Sequence, residues 1–408
     1  MKHALVIGGG IGGLAAALAL HANGIRATVF EAVAALRPLG VGINLLPHGA
    51  RVLYGLGLGD ALDRSGIRTR AIEYRTRYGH LIASDPRGIE AGFEHPQYSI
   101  HRGHLQMLLL DAVRERLGEE AVQTGMRLET FEQTCGGVTA RFRTPSGETI
   151  KVGGDLLVGA DGFHSRVRSI LHPDEGPAHA EGMMMFRGAV EREPFGDGRT
   201  MFIAGNHDVK FVCYPISEKA RRRGRSLVNW VAEVRHDRPR PATEAGWADR
   251  GDRDFISAFS EFRMPDIDIV ELMSSTETVL EYPMIDRDPL GHWGRGRATL
   301  LGDAAHPMYP IGANGASQAI IDAGALAAHL GEAVSVDEGL ATYEADRLPR
   351  TSGVVLANRQ AGPEQVLDIA DARLTGPDDA LEDLIAPHEV EAVASRYRQV
   401  AGFTRRAE

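Results

Sequence analysis

The chain has 408 residues, of which 43% are hydrophobic and 25% are charged, so it can bury a large core and has room for two or three domains. Its formal net charge of −10 argues against a nucleic-acid partner, whose phosphates require a basic surface, and against an anionic membrane surface. No stretch approaches the ~18 uninterrupted apolar residues of a membrane span.

The two cysteines, Cys135 and Cys213, lie far apart and have no C-x-x-C or histidine spacing. This predicts neither a disulfide framework nor a metal site. A cytoplasmic location fits this composition, and the first apolar run serves as a strand rather than as part of a separate leader.

The first predicted elements are a strand, a glycine-rich turn and a helix. Apolar residues 5–7 precede Gly8, Gly10 and Gly13, which form a G-x-G-x-x-G pattern, and a helix of small residues follows over 14–21. Gly8 permits the tight turn, Gly10 lets the backbone approach a pyrophosphate, and Gly13 lets the helix pack close to the strand. The pattern predicts dinucleotide binding at the helix N-terminus.

A second strand over residues 27–30 completes a βαβ unit and ends at Glu31. An acid at this position is placed to accept hydrogen bonds from a ribose diol and disfavours the extra phosphate of NADP. No other G-x-G-x-x-G occurs in the chain, so a second Rossmann domain is not expected. The fingerprint alone does not separate NAD from FAD.

Two later stretches repeat the order of strand, turn and helix. The first has a strand over 156–160 followed by Asp161-Gly162, and the second has a strand over 298–301 followed by Gly302-Asp303. The loop after the second turn leads into a helix and contains Pro310, Gly312, Ala313, Asn314 and Gly315.

These ordered motifs resemble those of single-component FAD-dependent aromatic hydroxylases. Further segments resemble the phenazine-modifying branch of that family, the branch of methylphenazine carboxylate monooxygenase. The segments are RPLGVGIN, PQYSIHRG, YPMIDRDPL, HWGRGR and PIGANGASQAI. The resemblance covers most of the chain and is weakest at residues 219–269 and beyond 358.

The resemblance implies a set of FAD contacts. Asp303 is expected at the ribityl chain, and the loop over residues 310–315 is expected to face the isoalloxazine, where helix amides stabilise negative charge on the reduced flavin. The segment with Arg37, Val41 and Gly42 is expected to cross the flavin. Arg102, which begins an R-x-x-L helix, is expected to contact FAD. Taken singly, the two arginines are also compatible with surface positions.

Asp161 and Arg168 are expected to serve the reductant. In the resembled family the D-G segment lies where flavin and nicotinamide cofactors meet, and no second Rossmann domain is present to hold NADH or NADPH. The nicotinamide cofactor is therefore expected to dock transiently at the domain surface. The alternative is that Arg168 caps its helix or pairs with Asp161.

The expected fold is α/β, with a Rossmann-like FAD-binding domain, a β-sheet substrate domain and C-terminal helices. The FAD-binding domain is assigned to residues 1–72, 98–175 and 285–360. The substrate domain is assigned to 73–97 and 176–284, and a helical segment to 361–408.

The implied reaction inserts one oxygen atom from O₂ into an aromatic or heteroaromatic ring through a flavin hydroperoxide, with NADH or NADPH as reductant. The candidate catalytic residues are Arg187, Tyr214 and Pro310. Burying an unpaired guanidinium is costly, so Arg187 needs either a structural carboxylate or a substrate anion. Tyr214 either positions a substrate hydroxyl or packs in the sheet.

Several alternatives stay open at this point. The substrate is a phenazine-like or hydroxybenzoate-type acid, and the protein is a monomer or a homodimer. A NAD-dependent dehydrogenase and a non-hydroxylating FAD-binding protein are the competing functions, and the visible spectrum would separate the first of these from a flavoprotein.

Overall fold

The computed structural model describes residues 2–236, 253–360, 362–380 and 384–400. A parallel sheet of five strands, in the order β18-β12-β1-β2-β8, forms the centre of the nucleotide-binding half. Val6 of its middle strand pairs with Val29 and Val158 on either side, and all three valines are completely buried. Apolar strands of this kind fit a sheet covered on both faces. The strands are β1 (His3–Ile7), β2 (Arg26–Glu31), β8 (Val122–Thr124), β12 (Leu156–Gly159) and β18 (Ala298–Leu300).

A sheet of seven strands, in the order β17-β13-β16-β15-β14-β5-β6, forms the second half. Alternation along its strands gives the two faces different chemistry. Phe186, Cys213 and Trp230 point to one face and join a buried apolar core, while Arg187 and Tyr214 lie on the opposite face. The strands are β5 (Ala71–Arg75), β6 (Leu81–Pro86), β13 (His179–Arg192), β14 (Met201–Gly205), β15 (Val209–Pro215), β16 (Ser226–Arg235) and β17 (Leu280–Asp286).

Two smaller sheets of three strands each complete the β structure of the described residues. One contains β9 (Arg127–Thr134), β10 (Gly137–Arg143) and β11 (Thr149–Gly154). The other contains β3 (Gly42–Leu45), β4 (Ile67–Arg68) and β7 (Tyr98–His101).

The first helix packs against two long helices beside the parallel sheet, which small residues permit. A Cβ on Gly12 would lie 2.8 Å from the Leu301 side chain and 3.3 Å from Ala319. The helices are α1 (Ile11–Ala22), α2 (Pro47–Gly55), α3 (Gly59–Ser65), α4 (Arg102–Leu117), α5 (Arg166–Leu171), α6 (Glu218–Arg221), α7 (Ile269–Ser274), α8 (Gly315–Glu332), α9 (Val336–Asn358), α10 (Gln365–Asp371) and α11 (Pro387–Val400).

The architecture confirms the predicted α/β fold with a Rossmann-like sheet and a second sheet opposite it. Within the C-terminal segment predicted to be helical, α10 and α11 are helices, while residues 361, 381–383 and 401–408 lie outside the described residues. The assigned domain boundaries stay a prediction, and β5 begins slightly before the boundary assigned at 73. Among the described helices, none is long and apolar enough to cross a bilayer.

A buried carboxylate joins three elements at the end of the parallel sheet. Asp322 of α8 accepts hydrogen bonds from the Gly302 amide (3.1 Å), His306 Nε2 (2.6 Å) and Arg347 Nε (2.7 Å). Burial alone would raise the pKa of Asp322, but His306 and Arg347 outweigh burial and lower the pKa. The Gly302-Asp303 turn is therefore fixed by an ionised side chain that α9 helps to hold.

We predict that Asp322→Asn lowers the free energy of unfolding at neutral pH by about 3 to 5 kcal/mol, because it leaves Arg347 buried without its charge partner. Since the folded pKa lies below the ordinary value of 3.8, this stabilisation is present above that value and is lost as the pH falls through the folded pKa. Denaturant unfolding as a function of pH measures both effects.

Asp111→Asn, at an exposed position of α4, is the matched control and should leave the unfolding curve unchanged. Equal stability of Asp322→Asn and the control at neutral pH would contradict the structural role of Asp322.

Candidate active site

The glycine loop adopts the close packing that its sequence predicts. Gly8 has φ +108°, and a Cβ there would collide with the Ala160 carbonyl. A Cβ on Gly13 would collide with the carbonyl oxygen of Gly8. Gly10 differs, because no atom lies within 4 Å of its Cβ position, and its hydrogen faces open space beside the start of α1.

Glu31 at the end of β2 holds this loop in place. Its two oxygens accept hydrogen bonds from the amides of Gly9 (2.8 Å) and Val33 (2.9 Å). An ionised carboxylate has about four acceptor positions, so Glu31 retains capacity to accept from a ribose hydroxyl.

The Gly302-Asp303 turn brings a carboxylate to a large cavity that Gly10 also lines. The Asp303 side chain lines the cavity. Desolvation by the surrounding protein atoms raises the pKa of Asp303, and the charges of His306 and Arg102 partly offset this effect. The pKa of Arg102 is lowered by burial, while Asp303 acts to raise it. The two side chains therefore stabilise each other's charge.

The loop before α8 completes this side of the cavity. Gly312 has φ +67° and Ala313 has φ +56°. The left-handed conformation costs a non-glycine residue about 1 to 2 kcal/mol, so surrounding contacts must hold Ala313. Pro310 and Gly315 also line the cavity, and a Cβ on Gly315 would lie 3.8 Å from Asp303 Oδ1. Asn314, in the same loop, is completely buried.

The seven-stranded sheet forms the opposite wall, on which Arg187 is the central polar residue. Its Nη1 donates to the Tyr282 hydroxyl (2.9 Å) and its Nη2 to the Gly42 carbonyl (2.5 Å). Burial would lower the pKa of Arg187, but the hydroxyls of Tyr282 and Tyr214 outweigh burial and raise it. The residue thus stays cationic at the cavity wall.

The comparisons with known proteins identify what this cavity holds. Residues 1–358 match a family model described as an FAD-binding domain. The chain belongs to this FAD-binding family.

Similar proteins within the family are aromatic hydroxylases. The chain is 45% identical to phenazine 1,6-dicarboxylic acid hydroxylase PhzS from Lysobacter antibioticus, over 97% of this chain and 96% of the relative. It is 36% identical to 3-amino-4-hydroxybenzoate 2-monooxygenase PtnB3 from Streptomyces platensis, over 88% of this chain and 87% of the relative.

A crystal structure of HpxO from Klebsiella pneumoniae, complexed with FAD and uric acid, superimposes with a TM-score of 0.73 at 26% identity. The superposition covers 98% of this chain and 93% of that chain. This chain is therefore a FAD-dependent monooxygenase with NAD(P)H as co-substrate, and the alternative of a NAD-dependent dehydrogenase is not supported.

The residues of the flavoprotein fit FAD. The open space at Gly10 suits a pyrophosphate that an added side chain would displace, and the cavity continues past Asp303 to the loop at Pro310. Bound flavin supplies the oxygen-activating chemistry. The protein contributes the cationic Arg102 and Arg187 and an apolar sheet face that excludes water.

The segment expected to cross the flavin divides into two parts. Val41 is buried, and its carbonyl accepts the Arg102 amide (2.8 Å), while a Cβ on Gly42 would lie 2.6 Å from Ile216. Arg37 is exposed and does not line the cavity. The structure thus brings Val41 and Gly42, but not Arg37, to the wall beside Arg187.

The D-G segment differs from its expected role. Asp161 caps α5 by accepting from the Ser165 hydroxyl and the Arg166 amide, and it does not pair with Arg168. Arg168 is 2% exposed and forms a bidentate ion pair with Glu175 (2.7 and 2.8 Å). Its Nη1 also donates to the carbonyls of residues 304 and 305.

The expectation that Arg168 docks a nicotinamide cofactor at the surface does not fit this geometry, because every guanidinium nitrogen is used inside the protein. Of the alternative structural role, the pairing with Asp161 is not observed, since Glu175 takes that place. Arg168 instead ties the D-G helix to the turn after Asp303.

Sequence reasoning missed a buried ion cluster next to the cavity, of which Glu233 and Glu364 line the cavity. Lys210 lies 2.8 Å from Glu233 and 2.5 Å from Glu364, and all three are buried. Burial raises the pKa of Glu364, against the charge of Lys210. The polar side chains Tyr74, Arg87 and Gln97 also line the cavity. The one available signal was a charged residue, Glu233, directly after the apolar run over residues 230–232.

We predict that Gly10→Val gives a folded protein that binds FAD about ten- to hundredfold more weakly. Gly10 has an extended backbone (φ −76°, ψ −178°) that valine tolerates, and its Cβ would occupy only the space assigned to the pyrophosphate. Gly13→Val is the matched contrast and should destabilise the fold itself. Flavin absorbance after gel filtration, beside circular dichroism, separates the two; unchanged FAD content in Gly10→Val would contradict the placement.

We predict that Arg168→Ala lowers the melting temperature and leaves the rate of flavin reduction by NAD(P)H nearly unchanged, because its contacts are internal. Stopped-flow reduction under anaerobic conditions measures the rate. A slower, cofactor-dependent reduction with unaltered stability would restore the nicotinamide role.

Proposed function

We propose that this monooxygenase hydroxylates a phenazine carboxylic acid or a closely similar planar tricyclic acid. The observation that carries the proposal is the 45% identity, over 97% of the chain, to a phenazine 1,6-dicarboxylic acid hydroxylase. We also propose that residues 1–72, 98–175 and 285–360 form the FAD-binding domain. The seven-stranded sheet then belongs to the substrate domain.

The shape of the cavity supports a large flat substrate. Side chains from five adjacent strands, β13 through β5, line it. Neighbouring strands lie about 4.8 Å apart, so four spacings give the wall a width of about 19 Å. The apolar side chains Ile203, Val212 and Val231 lie in the middle of this wall, beside the polar Tyr214 and Glu233.

We propose that Arg187 binds the substrate carboxylate nearest the flavin. A buried guanidinium surrounded by tyrosine hydroxyls and a backbone carbonyl suits a carboxylate partner, since a charged hydrogen bond is then gained without new burial of the cation. Tyr214, on the neighbouring part of the sheet, would orient the ring, and Pro310 would close the flavin side. Arg102 and Asp303 would hold the flavin itself.

A hydroxybenzoate-type substrate is the second candidate, favoured by the 36% identity to an aminohydroxybenzoate monooxygenase. A single ring would fill only part of a wall five strands wide. The two candidates therefore differ in the size of the ring system that turns over efficiently.

We predict the largest kcat/KM for a phenazine acid when the FAD-loaded protein is given NADH or NADPH and a panel of aromatic acids. The panel contains phenazine-1-carboxylic, phenazine-1,6-dicarboxylic, 3-amino-4-hydroxybenzoic and 3-hydroxybenzoic acids. Reductant oxidation is followed by absorbance, and mass spectrometry under ¹⁸O₂ tests whether one labelled atom enters the product. Preference for a monocyclic acid, or reductant oxidation without labelled product, would contradict the proposal.

A further inference from the structure

A glutamine at the far end of the cavity has polar atoms that the protein leaves unused. Gln97 is 1% exposed and lines the cavity. Neither its Nε2 nor its Oε1 has a hydrogen-bond partner in the protein. Leaving buried amide atoms without hydrogen bonds is costly, so such a side chain points to a ligand or an ordered water.

Arg87 lies beside this glutamine. Its Nη2 pairs with Asp85 at 2.8 Å, while its Nε is buried without a partner. Gly88, the next residue, has φ +55°, and a Cβ there would lie 2.5 Å from the Gln97 amide nitrogen. Glycine at 88 thus lets the chain bring Arg87 and Gln97 together at one end of the cavity.

This end lies across the sheet wall from Arg187. Burial raises the pKa of Tyr74, against the nearby charge of Arg87. Tyr74 belongs to β5, whereas Arg187 belongs to β13. The four strand spacings between them correspond to about 19 Å. The sheet wall of the cavity therefore has Arg187 at one end and Arg87 beside the other, while Arg102 lies near Arg187.

We propose that Arg87 and Gln97 bind a second carboxylate of the substrate, on the ring remote from Arg187. The assignment rests on the proposed function. Arg87 Nε and Gln97 Nε2 each donate to one carboxylate oxygen, which satisfies two groups that the protein alone leaves unpaired. The ion pair of Arg87 with Asp85 is screened by solvent, because the Asp85 side chain is 30% exposed, so Arg87 can still attract a second anion. The pair would make the enzyme select a diacid over a monoacid.

The test compares two ligands and two variants of the FAD-loaded protein. Dissociation constants for phenazine-1,6-dicarboxylic acid and phenazine-1-carboxylic acid are measured from the change in flavin absorbance. The wild type is expected to bind the diacid more tightly. Gln97→Met, which keeps the size of the side chain and removes its hydrogen bonds, is expected to weaken the diacid about ten- to hundredfold and to leave the monoacid unchanged.

Gln97→Glu is the matched variant, because it keeps the shape and adds a negative charge. It is expected to weaken the diacid more than Gln97→Met does. Equal effects of Gln97→Met on both acids, no effect on either, or tighter diacid binding by Gln97→Glu would overturn the assignment while leaving the proposed function intact. If the wild type binds neither acid, the proposed function itself is overturned. Retained FAD and an unchanged circular dichroism spectrum confirm that each variant is folded.

Discussion

The carboxylate of Asp322 is the interaction on which the geometry of the flavin side depends. It joins the Gly302 amide, His306 and Arg347, and so fixes the turn that presents Asp303 to the cavity. A buried ion pair of this kind contributes less to stability than to position, because desolvation offsets much of the attraction. Here the ion pair between Asp322 of α8 and Arg347 of α9 fixes the position of the Gly302-Asp303 turn. Arg168 supports the same turn from the other side through the carbonyls of residues 304 and 305.

The alternation of the seven-stranded sheet then determines which side chains meet the flavin side. Cross-strand register places Cys213 opposite Trp230 on the core face and Val212 opposite Val231 on the cavity face. A shift by one residue would exchange the two sets, so the aromatic core on the outer face also fixes the position of Arg187 and Tyr214. Packing on one face of the sheet thereby controls chemistry on the other.

The sequence predicted the local motifs well because each is continuous in the chain. Strand, glycine turn and helix follow one another at Gly8, Asp161 and Gly302, and apolar runs with glycine positions are enough to specify them. The fold class followed from those motifs and the family resemblance. The partners of long polar side chains were not predictable in this way. Arg168 pairs with Glu175 and with carbonyls more than a hundred residues away. The resemblance of the D-G segment suggested a surface role for it that these contacts do not support.

The far end of the cavity was missed for a related reason. Arg87 and Gln97 belong to no periodic pattern, and only the fold around Gly88 brings them together. The cross-strand pair of Lys210 and Glu233 likewise depends on a register that hydrophobicity does not reveal.

The central claim is that flavin and a ring acid meet between the loop at 310–315 and the sheet face carrying Arg187. A crystal structure with FAD and phenazine-1,6-dicarboxylic acid tests it most directly. The account predicts the isoalloxazine against that loop, with the acid between it and the sheet; a ligand bound elsewhere, or a flavin displaced from Asp303, would contradict it.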